Sequence, residues 1–287
     1  MKMYTERFRG LTGPILGPFL LVLLFNSSAS AQKVTYSGGF QYANGSYFFT
    51  EQTESIYLTN GFSIAGDRSR IWFSVPFIIQ NTPWISYNRE GGIPTGGTGH
   101  GQVGNMGRDM MGNRDRDRIH LPDTTSYKQA SFSDPSLGGS WIFFRSESRN
   151  TVLNLNGSVK FPLATPQSGF GTGELDFSTG VSATHRINKI YFFGDVTYWY
   201  LGDMNDLNLE NPLAVIIGTG MMSEKWIISA QFYASTKIID EFDPPASVSV
   251  GTGYFISSWL SLSGSLLFGL SESSPGVSAG VGWSVNF

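Results

Sequence analysis

The chain has 287 residues, a net charge of −3, 40% hydrophobic but only 14% charged residues, 35 Gly, 22 Phe, 12 Tyr, 7 Trp and no Cys. Soluble globular domains carry about 25% charged residues, so this composition argues against an ordinary soluble enzyme. The missing Cys excludes a disulfide framework, a thiolate metal site and a lipidated N-terminal Cys.

Residues 1–31 read as a signal peptide: Lys2, Arg7 and Arg9 make a positive start, Ile15 to Phe25 is apolar, and Ala29-Ser30-Ala31 is a small-residue cleavage signal. The apolar run is broken by Gly17 and Pro18 and falls short of the roughly 20 residues of a spanning helix. Without this segment, which holds three cations and one anion, the net charge of −3 becomes −5. That balance excludes nucleic acid as a partner. The mature domain is expected over 32–287.

From there the dominant signal is period two. Val34, Tyr36, Phe40 and Tyr42 share one face of a first strand (33–44), followed by Ile56, Leu58, Phe62 and Ile64 (52–65), then Ile71, Phe73, Val75, Phe77 and Ile79 (68–80). The stretch 81–134 has no such pattern and is expected to be a long extracellular or lumen-folded loop. Alternation resumes at 135–147, where Ile142 and Phe144 fall on the nominally polar side, and is clean at 150–162, where Leu153, Leu155, Val159 and Phe161 oppose Asn154, Asn156, Ser158 and Lys160. Further strands are expected at 173–186, 188–201, 211–222 (apolar on both faces), 224–236, 244–256 and 258–270. In the last, 275–287, Val277, Ala279, Val281, Trp283, Val285 and Phe287 alternate with Ser278, Gly280, Gly282, Ser284 and Asn286.

The spacing between strands is regular as well. Tight connections at Gly66-Asp67, Ser148-Arg149, Ile187-Asn188, Ser223-Glu224 and Ser257-Ser258 alternate with longer ones, as in outer-membrane barrels, where short periplasmic turns face long external loops. The sequence therefore predicts an all-β fold, an antiparallel transmembrane β-barrel of about twelve strands with both termini periplasmic. A soluble β-sandwich also alternates, but its second face would be charged, whereas here it is Ser, Gly, Thr and Asn. Trp226, Trp259, Trp283, Tyr198 and Tyr200 lie toward strand ends, as an aromatic girdle would. The implied location is the cell outer membrane, with its lipid as one partner. Trp283 and Phe287 would form the assembly signal presented to the barrel assembly machinery.

Residues 134–203 are more specific. Asp134-Pro135-Ser136-Leu137 opens a strand, Lys160-Phe161-Pro162 closes one, Gly171-Thr172-Gly173-Glu174-Leu175-Asp176 opens the next, and Asp195 to Tyr198 lies in the following hairpin. This text resembles the outer-membrane family named for a putative MetA pathway of phenol degradation. Ser133 replaces that family's Gly before the initiating Asp. The resemblance implies a transporter-like barrel and does not by itself imply phenol chemistry.

Candidate pore-lining residues are Asn154, Asn156, Lys160, Glu174, Asp176, Tyr191, Phe193, Asp195, Trp199, Gln231, Tyr233 and Lys237. Lumenal charges tune selectivity, or they pair and rigidify the interior. The large apolar members suit a weakly polar solute or a packed lumen. Arg114, Asp115, Arg116, Asp117 and Arg118 are a candidate constriction loop, with a solvated loop as the alternative. The arginines flanking Asp115 and Asp117 oppose a Ca²⁺ loop, so no metal or other cofactor is expected. His100 and His120 fall in the long loop and His185 beside a tight turn, so no Ser-His pair is expected and the chain does not read as an enzyme. The expected function is passive passage of a small, aromatic or otherwise hydrophobic solute. The alternative is a plugged structural or adhesion barrel.

Overall fold

The structure is a computed structural model describing residues 33–47, 52–81, 86–88, 91–93, 129–164, 170–202, 209–240 and 242–287, and every regular element among them is a strand. The segment read as a signal peptide and the run Arg114 to Arg118 lie outside the described residues. The strands are β1 (Lys33–Gly45), β2 (Thr53–Ala65), β3 (Ser69–Gln80), β4 (Ser86–Asn88), β5 (Gly91–Ile93), β6 (Gln129–Phe132), β7 (Ser136–Arg145) and β8 (Thr151–Lys160). They continue as β9 (Asp176–Ile187), β10 (Ile190–Tyr200), β11 (Leu213–Met222), β12 (Trp226–Ser235), β13 (Ala246–Phe255), β14 (Leu260–Gly269) and β15 (Val277–Asn286).

Setting aside the short β4, β5 and β6, each strand pairs antiparallel with its neighbours in sequence, and β1 also pairs with β15 from Thr35↔Asn286 to Asn44↔Val277. The ring is closed with twelve strands, and no long strand is left with a free edge. Closure is what allows strands to stand in hydrocarbon, where an unpaired backbone group costs several kcal/mol. All the tight connections lie on one rim, for example Gly66 N donating to Ser69 O at 2.8 Å and Ser223 N to Trp226 O at 2.7 Å. The start of β1 and the end of β15 lie on that same rim, where Lys33 pairs with Ala65 and Asn286 N donates to Trp259 O.

Because directly paired residues share a face, the register turns alternation along each strand into rows around the barrel. One row runs Tyr42, Ala279, Leu266, Val250, Ala230, Thr219, Phe192; the next runs Gln41, Gly280, Ser265, Gly251, Ser229, Gly220, Tyr191. The first row is apolar and outward, with Val250 49% and Phe192 48% exposed. Leaving such side chains in water would forfeit about 1.5–3 kcal/mol each; against lipid tails nothing is lost. A β-sandwich is excluded, since Leu155, Leu262 and Val281 are exposed on the outside rather than sharing a core. A polar interior inside a closed apolar wall is the arrangement of an outer-membrane barrel.

Two sequence expectations need correction. Phe144 is not inward: a β-bulge at Phe143 shifts the register, so that Ile142 opposes Asn154 but Phe144 opposes Leu153 on the outer face. A bulge reverses the phase of alternation, which a count of every second residue cannot register. The stretch 81–134 is not wholly loop, because β4 pairs with β5, and β6 pairs with the end of β3 away from the tight connections through Phe77↔Phe132 and Gln80↔Gln129. The chain then steps through Ser133-Asp134-Pro135, with Ser133 N on Pro76 O at 2.9 Å, and continues along the beginning of β3 as β7.

Candidate lumenal site

The inner face has two unlike halves. On β13, β14 and β15 it reads Ser247, Ser249, Gly251, Gly253, Phe255, then Ser261, Ser263, Ser265, Leu267, then Ser278, Gly280, Gly282, Ser284, so that apart from Phe255 and Leu267 its side chains are small. Ser263 and Ser265 are exposed, and neither makes a side-chain hydrogen bond among the described residues. This half is smooth and presents free hydroxyls.

On β8, β9 and β10 the polar groups satisfy one another. Asn154 Nδ2 and Asn156 Nδ2 donate to Ser182 Oγ at 3.2 and 3.0 Å. Asn156 Nδ2 also donates to Asp195 Oδ2 at 3.1 Å, Thr197 Oγ1 donates to Asp195 Oδ1 at 2.5 Å, and Ser158 and Ser178 share a bond of 2.6 Å. Asp195 has no ion-pair partner among the described residues. Farther along the inner face of β10, the Tyr191 and Phe193 rings stack with centroids 5.8 Å apart. Trp199, Gln231 and Tyr233 are half-buried on the same wall, their neighbours across the ladder being Ser178, Gly218 and Ile216.

Toward the rim opposite the tight connections, Lys160 Nζ sits 2.7 Å from Asp176 Oδ2 and 3.3 Å from Asp134 Oδ2, and donates to Thr172 Oγ1 at 2.8 Å. Both carboxylates are almost fully buried. Asp134 Oδ1 accepts from Ala164 N at 2.8 Å, Asp176 Oδ1 from Gly202 N at 3.0 Å, and Ser133 Oγ donates to Phe170 O at 2.6 Å. The cluster ties the β8–β9 connection to the wall. Phe170, carried on that connection, is buried with Ala43, Tyr57 and Ile78 of β1, β2 and β3, so the connection folds inward across the mouth.

The structure thus brings Lys160 and Asp176 together and joins Asn154, Asn156 and Asp195 in one network. Glu174 and Lys237 do not join them. β9 begins only at Asp176 and β12 ends at Ser235, so both lie in connections, exposed, and Lys237 Nζ donates to Asp240 O within its own turn. Inward charges outside the predicted set include Asp134, Arg70 and Arg186. Asp134 opens the 134–137 motif; Arg70, which donates to Ser63 Oγ at 3.1 Å, lies in the expected strand 68–80 and alternates with Ile71 and Phe73; Arg186 pairs with Tyr191 across the ladder. The motif residues Asp134, Lys160, Thr172 and Asp176 are distant in sequence and meet in this one cluster. His185 is the one histidine described; its Nδ1 lies 2.8 Å from Thr151 Oγ1, and it has no hydrogen bond to a serine. Among the described residues no group of His, Asp and Glu is arranged to hold a metal ion. Trp283 faces outward over Gly38, and Phe287 N donates to Val34 O at 2.9 Å with its ring exposed.

No family model and no curated protein matches the chain by sequence. Among solved structures, the barrel is similar to the COG4313 outer membrane channel from Pseudomonas putida F1, with a TM-score of 0.62 and 9% identity over 91% of this chain and 97% of that one. More remote likenesses are the KdgM porin (TM-score 0.47, 6% identity, 89% of this chain and 99% of that one) and the CymD monoaromatic hydrocarbon channel (TM-score 0.46, 10% identity, 95% and 91%).

Proposed function

We propose that this outer-membrane barrel is a channel for passive passage of a small, uncharged, aromatic or otherwise hydrophobic solute. The observation that carries the reading is the smooth half of the inner wall. Exposed Ser263 and Ser265 beside Gly251, Gly253, Gly280 and Gly282 leave room along β13 to β15, whereas a filled lumen would place large side chains on all walls. A general porin favours rings of charge; here Lys160 and Asp176 neutralise each other, and among the described residues Asp195, Arg70 and Arg186 are inward charges without an ion partner, on separate strands rather than in a ring. The motifs at 134–203 extend the reading toward the phenol-degradation-type family, and both termini are assigned to the periplasmic side.

The inward-folded Phe170 favours a second reading, a plugged structural or adhesion barrel. Solute flux into liposomes containing the purified protein separates the two. The channel reading expects uptake of small neutral solutes, and uptake that is absent both in the full chain and after deletion of residues 91–118 contradicts it.

A further inference from the structure

The inner face of β10 carries, at alternate positions, Tyr191, Phe193, Asp195, Thr197 and Trp199. The Tyr191 and Phe193 rings are inclined to each other by only 28°. What holds them so is on the next strand. Gly220 pairs with Tyr191 and Gly218 with Phe193, and a Cβ built at either glycine would collide with the ring opposite it. Each ring therefore leans across its glycine toward β11, with its Cζ end nearest the place a Cβ would take. Both rings remain partly exposed. Two rings seated side by side in this way make a flat apolar shelf whose orientation is fixed by the strand beside it rather than by core packing.

We infer that the Tyr191–Phe193 shelf, seated on Gly220 and Gly218, is a stacking site for planar ring compounds inside the lumen; the inference deepens the channel reading and rests on it. The chemistry follows from what surrounds the shelf. Offset stacking on an aromatic face favours a planar π-system over a puckered saturated ring of similar size. Asp195 lies two residues on from Phe193, about 7 Å along the strand. It has hydrogen bonds from Asn156 and Thr197 but no cation beside it, whereas Arg186 pairs with Tyr191 across the ladder on the same face and has no carboxylate partner among the described residues; the shelf therefore lies between a cation and a carboxylate, and what it selects for is ring shape. The free hydroxyls of Ser263 and Ser265 belong to the smooth half of the wall and can serve one polar substituent on a neutral ring.

The test uses the full chain in lipid nanodiscs and two probes: benzyl alcohol and cyclohexylmethanol. Equilibrium binding is expected to favour benzyl alcohol over cyclohexylmethanol by about fivefold. The planar preference should vanish in Tyr191→Leu/Phe193→Leu. It should also vanish in Gly218→Ala/Gly220→Ala, which keeps both rings but unseats them. Asp195→Asn should leave the planar preference in place. Heat-modifiable mobility identifies variants that have formed the barrel. Equal affinity for the two alcohols in the unaltered protein, or a preference that survives loss of both rings, overturns the proposal. Liposome flux is measured in parallel. Ring preference in binding without flux upholds the shelf and removes the channel; flux without ring preference removes the shelf alone.

Discussion

The two halves of the inner wall obey the same alternation yet use their inward positions differently. On β13 to β15 the inward residues are mostly Ser and Gly, and exposed hydroxyls there remain free; on β8 to β10 they are Asn, Asp, Thr and aromatics that bond to or lie on one another. One half provides space and the other provides shape. A polar residue inside a barrel is therefore not a single kind of thing: Ser182 is a structural acceptor for two asparagines, while Ser265, equally inward, has no side-chain partner.

That contrast can be broken at its most strongly held point. Lys160→Met would leave Asp134 and Asp176 buried without their shared cation, a loss of about 3–5 kcal/mol, measured as a lower temperature for loss of the heat-modifiable form. Replacing the two carboxylates by Asn in the same chain should recover most of it. At the seam of the smooth half, where β15 closes on β1, removal of Phe287 takes away the Phe287 N to Val34 O bond and the terminal ring. Assembled barrel in outer-membrane fractions should fall severalfold, and a normal yield would refute the role given to Phe287. The smallest effect on folding sharpens the comparison itself. Ser263→Phe should fold normally and reduce solute flux, whereas Ser182→Phe should cost about 1–3 kcal/mol, because it pushes a ring into the Asn154–Asn156 network.

The barrel was legible in the sequence because the period of two is imposed by the pleat, and a closed sheet in lipid enforces it on every strand. Where alternation is locally broken, legibility stops. The extra residue at Phe143 flips the phase, and β6 was lost because four residues beside an interruption at Asp134-Pro135 carry too little pattern. The candidate site was readable one residue at a time and not as a set. Period two pointed Asn154, Asn156 and Asp195 inward, yet their joining depends on the stagger between three strands, which no single strand encodes. Lys160 and Asp176 were identified, but Asp134 was not, because its carboxylate turns inward from a break between strands. Glu174 and Lys237 lie past the residues where the ladder ends, so strand alternation does not say which way they face.

In a closed barrel, neighbouring residues on one strand face water inside and lipid outside. The native chain has no Cys, so single substitutions report cleanly. Ser265→Cys and Leu266→Cys are compared in lipid vesicles for modification by a charged, membrane-impermeant thiol reagent. Labelling is expected at position 265 and protection at 266; the reverse pattern, or equal labelling of both, would rule out a water-facing Ser265 beside a lipid-facing Leu266.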